Sequence, residues 1–252
     1  MQNRIWVLAV NDGEAVEIVR LLQEHGEQVL RSRQPWGESW AGLEEEIQAA
    51  LCQFRNANPL GEIVGIELSG ENAYGACNID HHRYDSDDRS CPLSSLEQVA
   101  ARIGAQLSRR QQLVAANDRG FIPAMQEMGA TKDEICDVRD QDLGAQGVTA
   151  EQIAAERLEI DSASVRGGRY IVKSVFDTPT AHADILFLEK RATEWLICGP
   201  KVWSYSGPRH AQMVALHLEE HHWSGGRQES GYFGVQQPGA RSQQLILAFF
   251  ES

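Results

Sequence analysis

At 252 residues and 28.0 kDa the chain is long enough to bury one large core, or a domain of roughly 150 residues with a smaller companion. A hydrophobic share of 42% and a charged share of 23% exclude a mainly disordered or fibrous protein. The formal net charge of −13 disfavours an extended basic surface for long nucleic acid, but leaves room for a small phosphorylated ligand held through divalent cations.

Residues 4–10 form a nearly continuous apolar run, the pattern of a parallel strand buried on both faces. The run ends at Asn11-Asp12-Gly13-Glu14. From Ala15 the apolar residues Ile18, Val19 and Leu22 recur at helical spacing, so the acidic group lies in a strand-to-helix turn. Residues 28–31 read as a second short strand. Leu43, Ile47, Leu51 and Phe54 predict a helix over 40–54, stopped by Pro59 and Gly61. Residues 63–68 read as a third strand, followed by a Gly- and Asn-containing loop that leads into Asn78-Ile79-Asp80-His81-His82-Arg83.

Residues 84–90 form a charged loop without apolar periodicity. Pro92 and Ser94-Ser95 then start a helix with Leu96, Val99, Ala100 and Ile103 on its inner face. A helical segment over 111–116 runs into Asn117-Asp118-Arg119-Gly120, a second acidic turn. Thr131 begins a helix around Ile135 and Val138, and Thr149 with Gln152 suggests a capping box for residues 150–158. Beyond residue 169 the pattern favours strands at 170–176, 185–188 and 195–198. A helix over 210–222, a turn at Ser224-Gly225-Gly226-Arg227, and strands at 232–235 and 245–250 complete it.

Alternating strands and helices predict an α/β fold with a mainly parallel sheet flanked by helices, followed by a smaller α/β or α+β domain. The expected boundaries are 1–145, a helical linker over 146–165, and 166–252. The five cysteines are odd in number and lack a Cys-x-x-Cys pair, which suggests reduced thiols. With no basic-then-apolar leader and no run of about 18 apolar residues, the expected setting is cytoplasmic, with no membrane partner.

The acidic turns and the double histidine bring together oxygen and nitrogen donors suited to Mn²⁺ or Mg²⁺, as one ion or two, rather than to structural zinc. Such ions activate water and neutralise a phosphoryl group. Each signal also has a plain structural explanation. Asp12 can serve as a helix N-cap, Glu67 as a strand-end carboxylate, Asp118 as part of an ordinary turn, and Gly225-Gly226 as a plain turn. His217 and His221 have the i,i+4 spacing of a zinc pair, but Leu218-Glu219-Glu220 between them is not the protease pattern. Trp36 and Trp40 line an opening or cap a core edge.

The order of these motifs resembles the DHH phosphoesterase family. Asp12-Gly13-Glu14-Ala15 looks like its first-strand motif, with Leu8 where the family has histidine, and Asp80-His81-His82 is the literal family signature. Glu67 is the best match for the bridging acid, with Glu62 and Glu71 as weaker ones. Residues 92–96 resemble the Ser-rich helix start, and Asp118 the later acid. Ser224-Gly225-Gly226-Arg227 is similar in placement to the family's substrate-gripping glycine loop, with Arg for His.

The resemblance implies a metal set of Asp12, Glu14, Glu67, Asp80, His81 and Asp118. It assigns the catalytic phosphate contacts to His82 and Arg83, and substrate contacts to Asn11, Gly225, Gly226 and Arg227. It further implies hydrolysis of a small phosphorylated substrate such as a nucleotide, dinucleotide or short oligonucleotide in an interdomain cleft, and allows a homodimer. The altered first motif leaves open a catalytically inactive relative that binds a phosphorylated ligand or a protein partner.

Overall fold

The computed structural model describes residues 3–81, 92–177, 181–225 and 231–252 in full, and the backbone alone of 83–84, 87–88, 180, 226–227 and 230. The chain divides into two compact units, Met1–Gly147 and Val148–Ser252.

In the first unit β1 (Arg4–Ala9) runs through the middle of a four-stranded parallel sheet. β2 (Gln28–Ser32) pairs on one side, β3 (Glu62–Ile66) on the other, and β4 (Cys77–Ile79) lies outside β3. The two-residue alternation of β1 sorts its side chains onto two faces. Ile5 and Val7 share a core with Trp40, Leu43, Ile63 and the inner face of α2 (Glu45–Ala57), namely Ile47, Leu51 and Phe54. Trp6 and Leu8 are buried on the opposite side. The remaining helices of the unit are α1 (Gly13–Glu24), α3 (Ser95–Ile103), α4 (Arg109–Glu127) and α5 (Lys132–Ala145), which pack on one another.

Because β1 is followed by a neighbour on one side and later by β3 on the other, the strand order 2-1-3-4 reverses between β1 and β3. The carboxyl ends of strands flanking such a reversal are where open α/β sheets leave a crevice.

The backbones of β5 (Arg83–Tyr84) and β6 (Asp87–Asp88) pair as a short antiparallel ribbon within the stretch expected to be loop. The helix expected from residue 40 begins as a 3-10 turn at Trp40–Gly42, capped by Ser39, and α2 starts at Glu45. The expected acidic turn at Asp118 is a correction. Asp118 lies inside α4, which breaks just afterwards at Gly120 and Phe121, the latter at φ 57, and resumes through Pro123.

The second unit holds a six-stranded mixed sheet. Its order is β11 (His222–Arg227), β12 (Ser230–Gln236), β10 (Val202–Gly207), β9 (Trp195–Cys198), β8 (Arg169–Lys173) and β7 (Ser164–Arg166), with β8 and β9 alone parallel. α6 (Ala150–Asp161), from the stretch expected as a linker, packs on α7 (Thr180–Leu188) within this unit. Ile160, Val172, Ile185, Leu186, Trp195 and Ile197 fill the core on that side. Leu196, one register step from its neighbours, joins Tyr205 and Phe233 in a second core with Met213 of α8 (His210–Val214) and Ile246 and Phe250 of α9 (Ala240–Glu251).

Several expectations for this unit are corrected. Residues 185–188 and 245–250 are helical, not strands, because a short continuous apolar run carries no period of its own. In α9 the buried residues Ser242, Ile246 and Phe250 follow one another at four-residue steps. The helix expected over 210–222 stops at Val214, and His217 at φ 49 prevents its continuation, so His217 and His221 do not share a helical face. Ser224–Arg227 is not a turn but part of β11. Gly225 pairs with Tyr232 across the ladder, and a Cβ there would come within 2.5 Å of the Tyr232 hydroxyl. Its lack of a side chain thus makes room for that ring. Among the described residues no helix is long and apolar enough to cross a membrane.

Candidate metal centre

Four segments of the first unit deliver one donor each to a common point. Glu14 from the first turn of α1, Glu67 just after β3, His81 just after β4 and Asp118 of α4 place ligand atoms within 4.8 Å of one another. His81 Nε2 lies 2.6 Å from Asp118 Oδ2 and 3.4 Å from Glu67 Oε1. Three of the four follow carboxyl ends of parallel strands, Glu14 and Glu67 those flanking the β1/β3 reversal and His81 that of the adjoining β4, and the central kink of α4 comes shortly after the fourth.

Local chemistry holds these groups in place. Asp12 is the N-cap of α1, and its Oδ1 accepts a 2.8 Å bond from the Ala15 amide. This fixes the helix start and turns Glu14 inward, where it is 4% exposed. Ser94 is the N-cap of α3 and forms a capping box with Glu97. The start of α3 faces the ligands. The Leu96 amide donates to Glu14 Oε1 at 3.0 Å, and the Ser95 hydroxyl to Glu67 Oε1 at 2.7 Å. Glu67 itself stands at φ 58, a left-handed backbone uncommon for a residue with a side chain. Its amide donates to the Ile79 carbonyl at 2.8 Å, extending the β3–β4 ladder up to the site.

The electrostatics are those of a pocket short of positive charge. Burial first, then the charges of Asp118 and Glu67, push the Glu14 carboxyl well above its ordinary range, against hydrogen bonds from Ser94 and Leu96. Burial and Glu67 bring Asp12 up to about 7. Glu38 is raised by burial and by Glu67. Burial opposes charge on His81, but the hydrogen bond and charge of Glu67, with Glu14 and Asp80, outweigh it and raise the imidazole.

Three carboxylates and an imidazole converging at this distance fit a hard divalent cation, and a bound cation would favour the ionised carboxylates. Asp12 and Asp80 stay outside the converging four. Asp12 caps α1, while Asp80 is 6% exposed and its carbonyl accepts from Gln98 at 3.1 Å. Asn11 donates to Glu38 at 3.1 Å. Glu62 stands at the start of β3, paired with Arg4 and Arg102, and does not join the set. His82 and the side chains of Arg83 and Arg227 lie outside the described residues, and the backbone of Gly226 runs in β11.

Glu38, Arg139 and Asp142 escaped the sequence reading. Glu38 follows the end of β2 between Gly37 and Ser39, and that position beside a parallel strand's carboxyl end was the available signal.

No family model matches the chain, and no curated protein matches its sequence. Among solved structures, the chain is similar to a DHH-domain protein described as belonging to a family of ribosomal proteins. That similarity has 13% identity and a TM-score of 0.48, covering 99% of this chain and 86% of the other. It is also similar to a pGpG-specific phosphodiesterase from Vibrio cholerae at 11% identity and a TM-score of 0.38, over 98% of this chain and 97% of that one. A third, an uncharacterized protein from Helicobacter pylori, aligns at 9% identity and a TM-score of 0.26, over 99% of each chain. The functional reading therefore rests on the site's own geometry.

Proposed function

We propose that the chain is a divalent-cation-dependent phosphoesterase of the DHH type, acting on a small phosphorylated substrate such as a nucleotide, dinucleotide or short oligonucleotide. The observation that carries the reading is the convergence of Glu14, Glu67, His81 and Asp118 from four separate segments. These four would hold the cation. When bound, Mn²⁺ or Mg²⁺ supplies Lewis acidity, polarising a phosphoryl oxygen and lowering the pKa of water.

The chain's own residues provide the rest. Ser94, Ser95 and the Leu96 amide orient the carboxylates of Glu14 and Glu67. Asp12 fixes the start of α1. The net charge of −13 disfavours long polyanions and is compatible with a ligand of few phosphates.

Hydrolysis of bis-p-nitrophenyl phosphate and of short dinucleotides with Mn²⁺ tests the reading. Activity is expected for the native chain and should vanish in His81→Ala and Asp118→Asn proteins that remain folded. Persistence of activity in those variants would sink the assignment. A second reading, a non-catalytic binder of a phosphorylated ligand, draws on Leu8, which is buried at 1% exposure and offers no donor from β1. An inert native chain that still binds Mn²⁺ and a nucleotide would favour it.

A further inference from the structure

Glu14 and Asp118 reach the candidate centre from different helices, and the distance between α1 and α4 decides whether their carboxylates can meet. A third helix ties those two together. Arg139 of α5 is 3% exposed, and its Nη1 donates to Asp142 Oδ2 at 2.6 Å and to Asn117 Oδ1 at 3.1 Å. Asn117 immediately precedes Asp118.

Asp142 in turn accepts the Gly13 amide on Oδ1 at 2.8 Å, while Gln141 donates to the Gly13 carbonyl at 3.0 Å. Gly13 immediately precedes Glu14. A Cβ on Gly13 would lie 3.1 Å from the Asp142 Cα, so the close approach of α5 to the start of α1 suits a residue without a side chain. Gln146 donates to Asp142 Oδ2 at 3.0 Å, and the Arg139 guanidinium stacks 4.6 Å from the centre of the Phe121 ring, at the break in α4. One planar cation thus spans from the residue before one ligand to the carboxylate that grips the residue before another. A guanidinium can hold two acceptors and an aromatic face at once, whereas an ammonium acts as a point charge.

We infer that Arg139 is a positioning residue of this centre, setting the separation of Glu14 and Asp118 through Asp142 and Asn117. The inference rests on the metal-centre reading above. Without Arg139 the buried Asp142 loses its countercharge, and its grip on Gly13 weakens with it. Arg139 touches none of the four converging donors. Its effect therefore appears in cation affinity.

The test is Mn²⁺ binding by titration calorimetry, with thermal unfolding of the metal-free proteins to establish that each is folded at the assay temperature. Arg139→Met is expected to weaken Mn²⁺ about 10- to 100-fold, the usual range when support behind a ligand is removed. Arg139→Lys, which keeps the charge but not the planar face over Phe121, is expected to fall between. Should Arg139→Met fail to fold, Asn117→Ala cuts only the α4 arm and is expected to weaken Mn²⁺ several-fold. A lowered melting temperature with an unchanged dissociation constant in the folded variants overturns the inference, because it assigns Arg139 to the fold alone. A native chain that binds no Mn²⁺ overturns the metal-centre reading as well, so the two failures are distinguishable.

Discussion

The hydroxyl of Ser95 donates to Oε1 of Glu67 over 2.7 Å, joining the first residue of α3 to the residue that follows β3. Such a bond restricts the carboxylate to one orientation before any cation arrives. Ser95→Ala is expected to weaken Mn²⁺ binding by about 10-fold, while costing only ~1 kcal/mol of folding stability. Calorimetric titration beside thermal unfolding checks both parts, and an unchanged affinity would mean that Glu67 needs no such support.

The raised carboxyls set a pH dependence whose sign can be worked out. Asp12 near 7 and Glu14 well above its ordinary value hold protons in the folded chain that the unfolded chain, with carboxyl pKa values of about 4, has released. The favourable contribution of each is full below about pH 4; that of Asp12 is lost as pH rises to about 7, and that of Glu14 as pH rises through its own raised value. His81, also raised, adds in the same direction, since its contribution disappears as pH climbs past its folded-state value. The metal-free protein is therefore expected to melt higher at about pH 5 than at about pH 8, and saturating Mn²⁺ should cancel that slope. A metal-free melting temperature that rises with pH would contradict the burial of these acids together.

The same protons must leave when a cation enters. Near neutral pH, Mn²⁺ binding is expected to release at least about one proton, from the raised Glu14 carboxyl and the raised His81 imidazole. Titrations in two buffers of different ionisation heat measure the number directly. Identical apparent enthalpies in both would count against Glu14 and His81 as protonated groups in the metal-free protein.

In the second unit, the ring of His182 is fully buried, with Nδ1 3.0 Å from Glu156 Oε2 and Nε2 2.7 Å from Glu159 Oε2. Glu156 is equally buried and keeps one further partner, Gln152, at 2.7 Å. Replacing His182 by phenylalanine leaves Glu156 Oε2 facing an apolar ring. The expected loss is about 1–3 kcal/mol, as for a buried polar group left without its partner. A melting temperature within a degree or two of the native value would show that the pair contributes little.

The parallel sheet and the helices around it were legible where clear signals bound them, as at β1, whose apolar run stops at Asn11-Asp12-Gly13, and at α1, with Ile18, Val19 and Leu22 at helical spacing. The run from Leu245 to Phe250 was not, since six apolar residues fit either period, and only the packing of Ile246 and Phe250 onto Tyr205 and Phe233 selects the helix. Glu14, Glu67 and His81 stood out as ligand-type residues at strand ends, whereas Asp118, inside α4, was reached only through the resemblance. What joins them is different in kind. Arg139, Asp142 and Gly13 act across about 130 residues of chain, and no local pattern announces a contact of that span.

Glu67 retains a side chain at a backbone angle where glycine would sit without strain. Glu67→Gly would therefore relax the main chain at the very point where it removes a donor. In the proposed centre, the chain accepts an uncommon main-chain angle at this residue in return for a ligand oxygen.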